Sequence, residues 1–182
     1  KDTWIQYYPA LVPMTSINEL EVKILEINKE SIIRTLETYG AVKIFEGDLY
    51  SRHYANSSGK IRIRKAGDMV YITKKTAFVY HDIKHALELE TYIGDFDTFC
   101  HMLDLLGFKM VKEIHKHRVS YILEDIHYDI DTWWDIPTFI EVEGQSEETV
   151  VRWVKLLWYT MKDSVAYGSD ELWDIYHPKV IK

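Results

Sequence analysis

The chain has 182 residues, enough for one domain with a real core. Its 47% apolar and 28% charged residues make an ordinary globular mix, and the net charge of −7 argues against a nucleic-acid duplex as partner. With no secretory or membrane-spanning run in the sequence, the expected setting is cytoplasmic and away from membranes.

Residues 1–17 read as an irregular N-terminal arm, with Pro9 and Pro13 among scattered aromatics, and residues 18–182 as a single domain. A strand is predicted over 18–26. Asn28 then caps a helix over 29–39, whose buried stripe is Ile32, Ile33, Leu36 and Tyr39 and which Gly40 closes. A strand over 42–54, a turn at Ser57-Ser58-Gly59 and a hairpin of 60–65 and 69–75 about Gly67-Asp68 follow. Residues 76–85 are expected to link to a strand over 86–93. Asp95 caps a second helix carrying Phe96, Phe99, Met102, Leu103 and Leu106, with the lone cysteine, Cys100, as a buried reduced thiol on its apolar stripe. A long strand over 109–123 turns at Glu124-Asp125 into 126–132; residues 133–137 interrupt the pattern, and 138–144 resume it. Ser146 caps a third helix with Val150, Val151, Val154, Leu157, Trp158 and Met161 inside, and a short helix spans 169–176. Two stretches repeat in outline, Glu19-Leu20-Glu21 and Glu88-Leu89-Glu90, each followed by a helix, a glycine and a long strand.

Charged side chains recur two residues apart on strand after strand. Glu19, Glu21 and Lys23 share one face of the first, since a strand sends alternate side chains to opposite sides. Arg62 and Arg64, Glu88 and Glu90, Lys116 and Arg118, Asp129 and Asp131, and Glu141 and Glu143 repeat the pattern. Helices that cover the apolar faces from outside would leave these charged faces lining the inside of a closed sheet. The expected fold is therefore α+β: an eight-stranded antiparallel β-barrel with helices packed outside. So many enclosed charges are costly unless they pair or bind ions. A triphosphate with a divalent cation needs both signs: Arg and Lys grip the phosphates, and carboxylates hold the hard cation. The five histidines His53, His81, His85, His115 and His117 fit no usual zinc spacing, and His117 lies opposite the Lys116/Arg118 face.

These motifs resemble those of the CYTH domains, the triphosphate tunnel metalloenzymes. Glu19-Leu20-Glu21-Val22-Lys23 is similar to the family's E-x-E-x-K signature, Ile61-Arg62-Ile63-Arg64 to its L-R-I-R strand and Ile72-Thr73-Lys74-Lys75 to its T-x-K strand. Glu88 and Glu90, Lys116 and Arg118, and Asp129 through Glu143 follow in the family's order. The resemblance implies that Glu19, Glu21, Asp131, Glu141 and Glu143 bind Mg²⁺ or Mn²⁺, with Glu88, Glu90 and Asp129 supporting them or holding a second ion. It implies that Lys23, Arg62, Arg64, Lys75, Lys116 and Arg118 clamp phosphates, and that Glu19, Glu21 and Lys23 are catalytic. The activity it implies is hydrolysis of a triphosphate-containing small molecule. The alternatives are an adenylate cyclase making cyclic AMP and pyrophosphate, and a non-catalytic polyphosphate or nucleotide-binding module. A homodimer is among the assemblies it allows. Trp133-Trp134-Asp135-Ile136-Pro137 departs from the short glycine-containing link of many members, and its aromatics are placed at the rim.

Overall fold

Charged and apolar side chains alternate along strand β1 (Ile17–Ile24), and its Leu20, Val22 and Ile24 are buried together on one face. The computed structural model describes residues 17–177, so the expected N-terminal arm, Ile17 apart, lies outside the described residues, as do residues 178–182. Helix α1 (Lys29–Thr38) begins where the Asn28 side chain accepts a hydrogen bond from the Ser31 backbone N–H at 2.8 Å. That bond satisfies one of the donors a helix start leaves open. The chain leaves α1 through Gly40 at φ +82°, a left-handed conformation that side chains resist.

Strands β2 (Val42–Asn56), β3 (Gly59–Ala66), β4 (Met69–Tyr80) and β5 (Ile83–Tyr92) follow, then helix α2 (Phe96–Leu105), capped by Asp95. Next come β6 (Lys109–Leu123), β7 (Ile126–Trp133) and β8 (Ile136–Gly144), helix α3 (Glu147–Leu156), the two-residue β9 (Ser164–Val165) and helix α4 (Ser169–Tyr176). The strands run antiparallel in the order β5-β4-β3-β2-β6-β7-β8-β1, and β1 pairs back onto β5 to close an eight-stranded barrel. The same edge of β1 carries β9 at Lys23 and Ile24, where β5 has ended.

Several sequence expectations shift. Residues 76–85 are not a link: β4 and β5 pair from Tyr71 opposite Tyr92 to Tyr80 opposite Ile83. The turn between them is His81-Asp82, both at positive φ, the geometry of a tight hairpin made without the usual glycine. Tyr39 and Leu106 are helix C-caps and lie exposed, as does Met102, and Trp158 is exposed just past the end of α3.

Helices α1 and α3 cover the outer faces of β1, β7 and β8, burying Ile32, Leu36, Val150, Trp153 and Val154 against Val22, Tyr128, Ile130 and Val142. Gly144 leaves room here: a Cβ would come within 2.6 Å of Ile126 Cδ1 and 3.3 Å of Val150 Cγ2, so the Ile126 side chain would have to shift. Helix α2 covers β2, β3 and β4 through Phe96, Cys100 and Leu103 on Tyr54, Ile63 and Val70, and Cys100 is a free, buried thiol. On the outer side of β4 and β5, Phe78, Leu87 and Leu89 stay exposed.

The two halves, β1 to β4 with α1 and β5 to β8 with α2, are related by an internal two-fold. In the β2–β6 ladder Val42 opposite Ile122 is mirrored by Ala55 opposite Lys109, and Leu49 faces Lys116 at the centre. In the β1–β5 ladder Ile17 opposite Glu88 is mirrored by Glu21 opposite Lys84. Glu21, rather than Glu19, is thus the counterpart of Glu88. The β3 and β7 ladders match in the same way: Arg64 lies opposite Ser51 as Asp131 lies opposite Arg118. The basic pair Arg62/Arg64 of one half therefore occupies the place of the acidic pair Asp129/Asp131 of the other.

One end of the barrel interior is apolar. Trp133 and Phe139 continue the inward faces of β7 and β8 beyond Asp131 and Glu141, and with Ile114 they pack on Leu172 of α4. Lys112 donates to the Ser169 carbonyl at 2.9 Å and to Asp170 at 3.1 Å, and Tyr176 donates to Glu26 at 2.9 Å, so α4 is tied across that end. Leu172→Ala is expected to cost about 2–5 kcal/mol in urea denaturation, the range for emptying a fully buried leucine site. A cost under half a kcal/mol would mean that α4 adds little to the fold.

Candidate functional site

Every charged residue singled out in the sequence from Glu19 to Glu143 lies on the inward face of its strand, and ion pairs join them across the lumen. Two hubs organise them. On β1, Glu21 is almost fully buried and accepts from Lys23 at 2.5 Å, Lys84 at 2.6 Å and Lys75 at 2.9 Å. On β6, Arg118 donates to Asp131 at 2.6 Å and Glu141 at 2.7 Å, and also to Asp129, which Ser120 meets at 2.5 Å. Lys116 completes this group on Asp131, which has no exposed surface. Lys23 joins the hubs, reaching Glu141 at 3.0 Å. A third group lies toward β3–β5: Arg62 on Glu88 at 2.8 Å, Lys75 on Glu88 at 3.3 Å, and Thr73 donating to Glu90 at 2.5 Å.

Two residues stand outside this pairing. Among the described residues Arg64 has no ion-pair or hydrogen-bond partner, and its Nε is buried without an acceptor. Burial and the neighbouring Arg62 and Arg118 lower its pKa to about 10. Glu143 is the reverse case. It has no cationic partner among the described residues, and burial with Asp129, Glu141 and Glu21 around it holds its carboxyl well above the usual range. Carboxylate oxygens of Glu143, Asp129 and Glu141 lie within 4.8 Å of one another. An all-oxygen, carboxylate-only donor set suits a hard divalent cation such as Mg²⁺ or Mn²⁺, and a cation there would relieve the crowding that raises the Glu143 carboxyl. The structure groups Asp129 with Glu141 and Glu143, while Asp131 is taken up by Lys116 and Arg118 and Glu21 by three lysines.

Other titrations follow from the same crowding. Burial and the adjacent Glu88 raise Glu19 to about 7, with Lys75, 3.6 Å away, opposing. Burial works against the ionisation of Glu88, yet Arg62 and Lys75 hold it below its ordinary value. Two neighbouring carboxyls thus have pKa values pushed apart. Against burial, Lys23, Lys75 and Lys84 keep Glu21 well below the usual carboxylate range. Burial lowers Lys84, helped by nearby Lys23, and Lys116, helped by Arg118.

Lys84 and Ser120 escaped the sequence reading, and Thr73 entered it only as part of the T-x-K strand, with no role of its own. Lys84 extends the Glu88/Glu90 face backward through Ala86, a signal hidden by assigning its stretch to a link; Thr73 and Ser120 are uncharged and occur on many strands. The histidines do not gather. His117 bonds Asp48 outside at 3.0 Å, His115 lies 3.4 Å from Glu113, and His81 and His85 flank Glu147. Burial beside Arg62 and Lys112 depresses His53 to about 4. Trp133 is buried in the apolar end, while Trp134 is 91% exposed at the β7–β8 turn.

The model of the CYTH domain family matches residues 18–155. A Methanocaldococcus jannaschii protein provisionally named an adenylate cyclase is 29% identical over 132 residues, 69% of this chain and 75% of that one. Among solved structures, a Pyrococcus horikoshii protein shares the fold with a TM-score of 0.76 at 23% identity, covering 85% of this chain and 98% of that one. A Hippeastrum protein, provisionally an adenylyl cyclase and described as revealing a dominant triphosphatase activity, has a TM-score of 0.56 at 14% identity, covering 90% and 97%. No helix among the described residues is long and apolar enough to cross a membrane.

The paired and unpaired charges should answer differently to mutation. Asp131→Asn strands the buried Lys116 and removes one of the three carboxylates on Arg118, and is expected to cost about 3–5 kcal/mol in chemical denaturation. Glu143→Gln removes an uncompensated acid and should leave stability unchanged or raised, while shrinking the thermal shift that Mn²⁺ induces. Equal losses in the two variants would refute this division.

Proposed function

Because the chain belongs to the CYTH domain family, we propose that it is a divalent-metal-dependent enzyme that hydrolyses a triphosphate inside its barrel. One observation carries the reading: among the described residues the lumen holds a cation without an anion, Arg64, and an acid without a cation, Glu143, grouped with Asp129 and Glu141. A ligand made of phosphate and a divalent ion completes both. The relative named as an adenylate cyclase and the triphosphatase activity described for the Hippeastrum protein support the same class of chemistry.

In this reading Arg64 receives the phosphate chain, with Arg62, Lys75 and Lys116 along its path, each able to turn from a carboxylate to a phosphate oxygen. Arg118, held by three carboxylates, is the fixed part of the clamp. Asp129, Glu141 and Glu143 would hold Mg²⁺ or Mn²⁺, with Asp131 and Glu21 fixing the cations around them. A divalent ion bound there supplies neutralisation of the phosphate charge, the main requirement of phosphoryl transfer. Glu19, raised to about 7, would take the proton of a water that attacks the terminal phosphorus, as the bond to the bridging oxygen breaks and orthophosphate leaves. Lys23, between Glu21 and Glu141, keeps the two hubs in register.

Incubation with inorganic tripolyphosphate and with ATP, with and without Mg²⁺ or Mn²⁺, tests the proposal. Metal-dependent orthophosphate release is expected. Cyclic AMP with pyrophosphate would instead support the cyclase reading, which the name of the Methanocaldococcus relative favours, and binding without turnover would make the barrel a sensor. Arg64→Ala should lower kcat/KM by about 10²-fold, as removal of one preorganised donor does elsewhere; an unchanged value would remove it from the clamp. The rate should rise with pH through about 7 as Glu19 ionises to its basic form, and Glu19→Gln should abolish that limb. A limb that persists in the variant would assign the base elsewhere.

A further inference from the structure

Strand β4 outruns its neighbour on one side. Its ladder with β3 stops at Thr73 opposite Arg62, while its ladder with β5 runs on to Tyr80 opposite Ile83. Beyond Thr73 the β3 side of β4 therefore has no strand beside it among the described residues. The β4–β5 turn has two residues, His81 and Asp82, so Tyr80 and Ile83 form a hydrogen-bonded pair, and alternation along the ladder extends that bonding to Phe78 and Thr76. Lys75, Ala77 and Val79 then turn their backbone N–H and C=O groups to the vacant side. The hairpin is held firmly from its other side: β1 pairs with β5 from Glu88 to Lys84, and Ile83 is buried in the core that α1 and α3 cover.

This edge lacks the devices that keep strand edges apart. Residues 76–80 carry no charge, proline or glycine, the β4–β5 register has no bulge, and Phe78, Val79 and Tyr80 are each more than half exposed. Open backbone groups on such a run are a template for another extended chain. The flanking charges identify that chain. When two such edges pair antiparallel, residues that bond across the gap must face each other. A two-fold axis at Phe78 meets this condition, with Ala77 opposite the partner's Val79. The same register brings the exposed Lys74 to the exposed turn at the partner's Asp82, and symmetry makes this contact twice.

We infer that the vacant edge of β4 is a self-association surface: two copies of this chain pair antiparallel through residues 75–80, joining their barrels into one continuous sheet. A contact of this kind is isologous, so it closes after two copies and leaves no edge open for a third. The inference is independent of what the lumen binds, because it uses backbone groups at the barrel's edge.

Size-exclusion chromatography with light scattering, at rising concentration, tests it. A mass approaching about 43 kDa, twice the 21.6 kDa of one chain, is expected. Val79→Pro removes an N–H that no bond within the sheet uses, and should give a monomer with an unchanged circular dichroism melt. Lys74→Glu sets an acid against Asp82 at both contacts and should weaken association about tenfold, within what two cross-strand charge pairs contribute. Phe78→Cys should oxidise to a disulfide-linked dimer, since facing residues of a non-hydrogen-bonded pair have Cα atoms about 4.5 Å apart, while the wild type, whose Cys100 is buried, should not. A monomer at every concentration would overturn the inference and leave the edge to an extended segment of another protein. A dimer that survives Val79→Pro, or one that Lys74→Glu leaves unchanged while Phe78→Cys stays reduced, would place the contact elsewhere and overturn it equally. Association that runs on past two copies would also overturn it.

Discussion

Closure of the sheet is the constraint on which the rest depends. Once β1 pairs with β5, the inward side chains of eight strands have only one another as surroundings. Arg118 shows how the fold answers: one guanidinium, tied to Asp129, Asp131 and Glu141, fixes β6 to β7 and β8 through side chains as well as through the backbone ladder. Glu21 does the same on the other side with three lysines. Such networks rarely stabilise a protein more than an apolar filling would. Their use here is to hold a charged interior at a fixed shape inside an apolar coat.

The coat and the lumen divide the work. Outside, Val22, Ile63, Ile130 and Val142 meet helices α1, α2 and α3, and that packing resembles any sheet with a covered face. Inside, the charges compensate one another almost everywhere. The exceptions, Arg64 and Glu143, are informative because they break a rule the rest of the interior obeys. Preorganised, unsatisfied groups of opposite sign are what a ligand of mixed sign would find useful.

Much of this was legible in the sequence because period-two alternation reports directly on which residues share a strand face. Glu19 with Glu21, Arg62 with Arg64 and Glu141 with Glu143 needed nothing else. Which acid would meet which base was not legible, because cross-strand register is set by turns and ladders that alternation alone leaves free. Thus Asp129 rather than Asp131 joins Glu141 and Glu143, and Lys84 reaches Glu21 from a stretch expected to be a link. The His81-Asp82 turn concealed that hairpin, since neither residue is the usual signal for positive φ. The role of α4 was equally hidden: its apolar residues suggested a helix but not that Leu172 would meet side chains from inside the barrel.

The exchange of Arg62 and Arg64 for Asp129 and Asp131 across the internal two-fold has an effect beyond pairing. A symmetric duplication would have produced a lumen with equivalent walls, in which an elongated ligand could lie in either of two orientations. Here the β3–β4 wall carries arginines and lysine while the β7–β8 wall carries carboxylates, so the electric potential slopes from one side to the other. Under the proposed function, a chain of phosphates with its counter-ion would have a single favourable heading in such a field, and its reactive end would always meet the same residues.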